Sequence, residues 1–487
     1  MIERRQSIAA IAATAATRTL PLRLCAVALL MTQAGCSVMS TAYERPAAPV
    51  PASYALAAAD APQGAASLLP WQDYFADPRL RQLLDIALTN NRDLRVAMLN
   101  VEQTRAQFQL RRADLYPGVD LNAKASRARA TDGKPNQSFG LGLAVTAWEI
   151  DFFGRIARLK DQALAQYLAS QEGRNAAQLS LVASVANGWL NLLADEELLG
   201  LSRQTLASRE ASARLTRMRL DAGVVSELDW HQAESLTQDA RATLAQQQRQ
   251  RAVDENALAL LLGQALPDDI RASLARSRLA DAPALVPLPA GLPSELLTRR
   301  PDIRQAEQQL IAAKASMDAA RAAFFPHITL TAQAGTASDA LSGLFQGGSW
   351  GLSIAPSLLL ALFDAGRNQA QLEVSEAVRS IAVAQYEKAI QTAFREVSDA
   401  LAGQATLGEQ VQARQNQAQA EAASLRLAEL RYLNGVASHL DLLDAQRSLF
   451  STQQAVVQTR LAQLQNQVTL YKALGGGAPD TVAKAPS

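Results

Sequence analysis

The sequence predicts an α+β membrane protein in which each chain supplies only part of a β-barrel. Three observations predict this class: the chain has two similar halves, each half contains two alternating apolar–polar segments, and most of the remainder reads as very long helices. At 487 residues and 52.1 kDa, the chain is also too long for one ordinary core. We therefore expect several domains or a repeated, elongated architecture.

The internal repeat is indicated by three blocks that recur in register. Residues 112–117 parallel residues 321–326, and residues 151–155 parallel residues 364–367 with one residue deleted. The third block recurs at one constant offset: Arg219, Gly223, Val224, Ser226, Leu228, Asp229 and Ala233 correspond to Arg431, Gly435, Val436, Ser438, Leu440, Asp441 and Ala445. Matches that keep register over whole blocks indicate a tandem duplication.

Composition sets the expected boundaries of the two repeats. The amino terminus has the basic, apolar and small-residue order of a signal peptide, and two proline-rich stretches separate the other segments. The expected segments are a signal peptide 1–35, an extended lipid-anchored segment 36–68, a first repeat 69–270, a Pro-rich linker 271–292, a second repeat 293–477 and a tail 478–487.

A lipid anchor is predicted at Cys36, which directly follows Ala34 and Gly35. Because Cys25 lies inside the expected signal peptide, the mature chain keeps one cysteine and can form no internal disulfide. A lone cysteine at this point resembles the lipobox of bacterial lipoproteins, whose cysteine carries a diacylglycerol and an N-acyl chain. The alternative is ordinary signal cleavage nearby, with a spare thiol.

Two β-hairpins are predicted, at 117–152 and 326–362. Their apolar residues alternate with polar or small ones: Val119, Leu121, Ala123 and Ala125; Phe139, Leu141, Leu143, Val145 and Ala147; Ile328, Leu330, Ala332 and Ala334; Trp350, Leu352, Ile354 and Leu358. Strands of about 10 residues with one apolar face are typical of transmembrane β-strands, although a soluble hairpin would show the same alternation. An open sheet edge cannot lie in lipid, and closure needs at least about eight strands, so the barrel must be shared between chains.

The other segments predict long helices. From about 156 to Gly223 the chain runs over 60 residues without proline, and such a helix would approach ~90 Å. On the last helix, apolar residues recur every seven positions: Leu443, Phe450, Val457, Leu464 and Tyr471. Seven-residue spacing is typical of helices that pack along their whole length, in a hollow helical barrel or in a stalk.

Charge and motifs argue against several function classes. Removing residues 1–35 leaves 43 basic and 45 acidic residues, which argues against a nucleic-acid partner. The sequence has no Walker loop, no G-x-S-x-G and no Cys-x-x-Cys, and its three histidines are scattered. We therefore predict no enzymatic activity, no metal and no cofactor apart from the lipid.

The two repeated turn blocks, 219–229 and 431–441, resemble the periplasmic hairpin tips of the TolC-like outer-membrane factors. Residues 442–450 and 470–477 look like the lipoprotein branch that serves resistance-nodulation-division (RND) efflux pumps, and Tyr43-Glu44-Arg45-Pro46 is similar to that branch as well. The resemblance covers essentially the whole mature chain.

The resemblance implies a homotrimer with four strands per chain. Its 12-stranded barrel lies in the outer membrane and continues into a long periplasmic barrel of coiled-coil helices. The implied function is a passive exit duct for drugs or other small toxic compounds. The implied partners are a periplasmic adaptor protein, an inner-membrane RND pump and outer-membrane lipid.

The resemblance also implies roles for the tip residues. A periplasmic gate is expected at Leu440, Asp441, Asp444 and Tyr432, and adaptor contacts at Gly223, Val224, Ser226, Gly435, Val436 and Ser438. Asp441 and Asp444 share a helix face, so threefold symmetry would form rings of carboxylates that favour cations. Asp441 could instead serve only the helix start, as Asp229 does in the first repeat.

Two other functions remain open at this point. A type I protein secretion duct would export polypeptide with an ABC-transporter partner. A lipid-anchored coiled-coil stalk without a pore would have no use for the predicted strands.

Overall fold

The computed structural model describes residues 43–51, 53, 54, 69–129, 135–282, 285, 288 and 293–477. The expected signal peptide, Cys36, most of the anchored segment, residues 130–134 within the first predicted hairpin, and the tail lie outside the described residues. Within the described part of the chain, no helix combines the length and the apolar character needed to cross a membrane.

Apart from one additional short helix at the start of the first half, the two halves of the chain have the same order of helices and strands. The first contains α1 (Trp71–Tyr74), α2 (Pro78–Asn90), α3 (Arg92–Ala113), β1 (Asp120–Arg129), β2 (Pro135–Glu149), α4 (Arg155–Asp221) and α5 (Glu227–Leu262). After α6 (Asp268–Leu274), the second contains α7 (Pro293–Arg299), α8 (Pro301–Ala322), β3 (His327–Ser338), β4 (Trp350–Leu359), α9 (Arg367–Leu433) and α10 (His439–Ala473). The long helices α4 and α9 both have 67 residues.

The chain folds as two compact units. The first comprises the described parts of Met1–Ala47, Glu102–Ala169 and Ala306–Tyr386, and it contains all four strands. The second comprises the described parts of Ala48–Val101, Ser170–Gln305 and Glu387–Ser487, and it contains both helical turns of the repeated blocks.

The four strands form one antiparallel sheet in the order β1-β2-β3-β4. The predicted apolar residues lie opposite one another across it, as in Leu121 opposite Leu143 and Ala332 opposite Ile354. The sheet therefore has the single apolar face that the alternation predicts. The pairing of β2 with β3 joins the two halves of the chain.

The predicted alternation fails at the end of β2. Ala147 was expected on the apolar face, but the register between β2 and β3 shifts between Val145 and Trp148. Ala147 has a φ of +48°, so it forms a bulge, and Trp148 rather than Ala147 lies opposite Leu330. A bulge depends on the partner strand, which strict alternation along one strand does not report.

Two glycines face each other where β2 meets β3. A Cβ on Gly142 would lie 2.5 Å from the carbonyl oxygen of Ala334, and a Cβ on Gly335 would collide with the Gly142 Cα and the Leu141 carbonyl. The two backbones therefore approach too closely for any side chain.

The long helices α4 and α9 begin at the repeated block of residues 151–155 and 364–367. Asp151 accepts hydrogen bonds from the backbone N–H of Ile156 and Ala157 at 2.9 and 2.7 Å. Asp364 accepts from Gly366 and Asn368 at 3.0 and 2.9 Å. The recurring aspartate therefore satisfies backbone donors that a helix start leaves unpaired.

The predicted heptad seam on α10 is confirmed. Leu443, Val457, Leu464 and Tyr471 are buried, and Phe450 is half-buried. The linker 271–292 differs from a wholly extended segment, because it begins inside α6 and buries Leu274 and Leu279. Proline content predicted where this segment lies but could not predict that its leucines pack.

Candidate functional site

The two tips of the helical hairpins have nearly identical backbones. Gly223 and Gly435 have φ values of +71° and +73°, which glycine adopts without steric cost. In each turn the next residue donates back across the helix end: Val224 N–H to the Arg219 carbonyl and Val436 N–H to the Arg431 carbonyl, both at 2.9 Å. The preceding helix therefore ends at a glycine in the left-handed backbone conformation.

Each tip continues into a capping box that starts the following helix. Ser226 Oγ accepts from the Asp229 N–H at 3.2 Å, and the Asp229 carboxylate accepts from the Ser226 N–H at 3.0 Å. Ser438 and Asp441 repeat both bonds at the same distances. The hydroxyl and N–H of Ser226 lower the pKa of Asp229. The serines predicted as adaptor contacts therefore also hold the turns in shape.

The two aspartates of the predicted gate have different surroundings. Asp441 is exposed, but its carboxylate is engaged by Ser438, so the structure places it in the helix-start role as well. Asp444, one turn further, is exposed and pairs with Arg447 at 3.1 Å. Because this ion pair is open to solvent, it holds the Asp444 carboxylate only weakly.

Tyr432 lies where the two helical hairpins meet. The guanidinium of Arg219, at the end of α4, is 5.3 Å from the centre of its ring, within cation–π range. The ring of His439, at the start of α10, is also close to Tyr432, with 5.3 Å between the two ring centres. Tyr432 therefore links the α4 end to the α10 start.

His439 is a functional candidate that the sequence did not single out. It is 5% exposed, and neither ring nitrogen has a hydrogen-bond partner among the described residues. Burial lowers the pKa of His439, opposed by the nearby Asp229 and assisted by Arg219. Its place beside the predicted gate residues was the only available signal, and sequence spacing does not reveal that the ring is buried.

The outer surface of both tips is apolar. Val224 and Val436 are 73% and 69% exposed, and Leu228 and Leu440 are also exposed. Exposed apolar residues grouped at one site are typical of a protein-binding surface. The geometry thus brings the predicted gate residues and adaptor contacts together at one pair of tips, and their roles stay predictions.

Comparison with known proteins decides the family. The family model described as outer membrane efflux protein matches residues 83–264 and 292–476, well over half of the chain. The chain belongs to the outer membrane efflux protein family. The model matches it twice, once in each half that the sequence predicts as a repeat.

Individual relatives match over nearly the full length. The antibiotic efflux pump outer membrane protein ArpC of Pseudomonas putida is 46% identical over 454 residues, 91% of this chain and 93% of the relative. The outer membrane protein OprJ of Pseudomonas aeruginosa is 44% identical over 459 residues, 93% of this chain and 95% of the relative.

Solved structures show the same fold. A membrane protein from Pseudomonas aeruginosa matches with a TM-score of 0.84 at 43% identity, covering 90% of this chain and 97% of the solved chain. The open state of the MtrE outer membrane channel of Neisseria gonorrhoeae matches with a TM-score of 0.80 at 39% identity, covering 90% and 98%.

As a member of this family, the chain is the outer-membrane channel component of a tripartite efflux system. The predicted family, function and mixed helix-and-sheet fold are confirmed at this level. The family consists of transport channels located in the outer membrane.

Proposed function

We propose that three copies of this chain close a 12-stranded barrel in the outer membrane and form a passive exit duct. The observation that carries this proposal is the four-stranded sheet, whose edge strands β1 and β4 have no further partner among the described residues. The apolar face of the sheet is open: Leu121 is 73% exposed, and Ile354 and Leu358 are also exposed. Lipid can cover this face but cannot satisfy an open edge, so neighbouring copies must pair with both edges.

A row of aromatic residues supports placement of the sheet in a membrane. Tyr116 precedes β1, Phe152 follows β2, Phe324 precedes β3 and Phe363 follows β4, and all four are exposed. Because the strands are antiparallel, these positions share one end of the sheet. Aromatic girdles mark the membrane–water interfaces of transmembrane barrels.

Native mass spectrometry of the detergent-extracted protein tests the assembly. We expect a homotrimer with mixed helix and strand content. A stable monomer that still conducts ions in planar bilayers would contradict the shared barrel.

We further propose that the second tip forms the gate, with Leu440, Asp441, Asp444 and Tyr432 around the narrowest point. Three copies would place three Asp444 carboxylates about one axis, where like charges favour cations. Since Asp441 is already engaged by Ser438, Asp444 supplies the more available charge. The matched position in the first tip is Gln232, which offers none.

Ion selectivity in planar bilayers tests the gate. Wild type should prefer cations, Asp444→Asn should weaken that preference by several-fold, and Asp441→Asn together with Asp444→Asn should weaken it further. Asp229→Asn, the matched change in the first tip, should leave it near wild type. If Asp229→Asn alters selectivity and Asp444→Asn does not, the narrowest ring lies on the first hairpin.

The partners proposed are a periplasmic adaptor and an inner-membrane RND pump. The exposed Val224 and Val436 supply an apolar surface for the adaptor. Adaptor capture should fall with Val224→Asp and Val436→Asp but not with Ser380→Asp on the exposed surface of α9. Unchanged capture by both valine variants would place the adaptor elsewhere.

The proposed cargo is small toxic compounds, since relatives are named as antibiotic, solvent and toluene efflux components. Growth of a strain lacking this chain, in toluene or antibiotic, should recover on complementation with it. Recovery of secretion of a polypeptide instead would favour a type I duct.

We propose a diacylglycerol and an N-acyl chain on Cys36. The segment that follows is fixed on the unit that holds the sheet: Arg45 pairs with Glu307 at 2.7 Å and again at 2.9 Å, and the Tyr43 hydroxyl donates to Glu307 at 3.3 Å. Cys36 is seven residues before Tyr43, a reach of at most about 24 Å. Mass spectrometry should find the mature amino terminus acylated at Cys36, and an unmodified terminus elsewhere would overturn the anchor.

A further inference from the structure

A buried histidine lies beside the contact between the two tips, in which Arg219 of α4 faces the ring of Tyr432 of α9. His439 opens α10, directly before Leu440 and Asp441, and its side chain is buried. Its ring packs against Tyr432 of α9. Neither nitrogen finds a hydrogen-bond partner among the described residues, so no acceptor there would stabilise the second N–H of a protonated ring.

The charged and titratable groups that face His439 come from every helix end at the tips. Arg219 at the end of α4 repels a protonated ring, and Asp229 near the start of α5 attracts it. Tyr432 at the end of α9 offers its ring face, which Arg219 already occupies on one side. On its own helix, Asp441 is engaged by Ser438.

A proton on His439 would therefore be poorly accommodated. Asp229 is the only opposite charge acting on the ring among the described residues, but its carboxylate is held by the N–H and hydroxyl of Ser226. Using Asp229 as a partner would break the cap of α5. Leaving it capped would bury an unpaired cation beside Arg219, which is unfavourable because the low-dielectric surroundings do not replace the lost hydration. Either way, protonation disturbs the packing of His439 against Tyr432, the residue whose ring Arg219 of the first hairpin also contacts.

We propose that His439 is an acid-sensitive latch between the two tips, which holds them together when neutral and releases the second tip when protonated. The effect of the latch on conduction rests on the proposed gate, because release of the second tip would move Leu440, Asp441 and Asp444 together. Acidification of the periplasm would then favour the open duct. One proton per release allows at most about a tenfold change per pH unit.

Hydrogen–deuterium exchange of the trimer in detergent tests the latch without relying on conduction. After correction for the intrinsic pH dependence of exchange, the peptide 431–445 should exchange several-fold faster at pH 5.5 than at pH 7.5. His439→Phe, which keeps a ring against Tyr432 but cannot take a proton, should abolish this difference. His439→Gln provides a second neutral variant, and His231→Gln, on the exposed surface of the first tip, should behave as wild type.

The outcomes separate the latch from the gate. If His439→Phe and His439→Gln both keep the wild-type pH difference, the latch is overturned. If they abolish it, the latch stands, and bilayer recordings then report on the gate. Open probability that rises at pH 5.5 in wild type but not in His439→Phe supports both proposals. A pH-dependent exchange with pH-independent conductance supports the latch and places the narrowest point elsewhere.

Discussion

The hairpin tips of the two halves have the same backbone structure but carry different side chains. Both tips have a left-handed glycine, the same return hydrogen bond and the same capping box, with distances that agree within 0.1 Å. At matched positions, however, the first tip has Leu220, Glu227 and Gln232 where the second has Tyr432, His439 and Asp444.

The difference extends into the hairpin arms. In the first half, Asp195 of α4 is buried, and the nearby carboxyl of Asp254 of α5 raises its pKa. The matched residues of the second half are Leu407 and Asn466, and the Asn466 amide donates to the Ala400 carbonyl at 2.8 Å. The comparison teaches that residues which satisfy backbone groups recur between the halves, whereas the buried titratable residues Asp195 and His439 each occur in one half only.

The largest expected effect comes from the point where the halves join. Gly335→Val should prevent assembly of the barrel, because no side chain fits between β2 and β3 at Gly142. Native mass spectrometry of this variant should detect no trimer. The matched control is Gly140→Ala on β2, since a Cβ there would lie 3.7 Å from the Thr336 carbonyl oxygen, an ordinary contact. Trimers in Gly335→Val would mean that the strands can separate locally without loss of closure.

The next effect concerns the buried carboxylates of the first half. Burial, the hydrogen bond to Asp254 and its charge raise the pKa of Asp195 from 3.8 to about 7. The folded protein therefore binds this proton more tightly than the unfolded chain does. Its contribution to stability is complete below about pH 4 and is lost as pH rises through 7.

Asp195→Asn should therefore raise the apparent melting temperature at pH 8 by several degrees and change it little at pH 5. Thermal unfolding of the detergent-extracted protein measures both. Asp268→Asn, whose side chain is exposed, serves as the control and should shift neither. A melting temperature of Asp195→Asn that falls by the same amount at both pH values would indicate lost packing rather than a lost charge.

Much of this architecture is local and could be predicted from the sequence. Alternation predicted the apolar face of each strand up to the bulge in β2, and the seven-residue spacing predicted the seam of α10, because both are periodicities along one segment. The bulge at Ala147 and the burial of His439 could not be predicted. The first depends on the pairing of β2 with β3, and the second on where α4 and α9 end relative to each other.

The role of the repeated block that contains Asp151 and Asp364 could also not be predicted from the sequence. Its recurrence was visible in the sequence and supported the duplication. Its purpose became clear only once the carboxylates were seen to accept from backbone N–H groups in the first turns of α4 and α9. A repeated polar residue beside a glycine can cap a helix or serve a site, and spacing alone does not distinguish them.

The smallest expected effect tests whether the two tips are truly equivalent scaffolds. Ser226→Ala and Ser438→Ala each remove a side-chain acceptor from a helix start, which costs about 1 kcal/mol in general. Local hydrogen exchange around Asp229 and Asp441 should then quicken by about fivefold in the corresponding variant, and by similar factors in the two. Ser380→Ala, whose hydroxyl donates to a carbonyl within α9, should leave both tips unchanged. Because both caps have the same bonds at the same distances, unequal responses would mean that the second tip is held by more than its backbone. The additional restraint would then be the contact of His439 with Tyr432. Because protonation of His439 should remove this restraint, the difference between the two variants should disappear at pH 5.5.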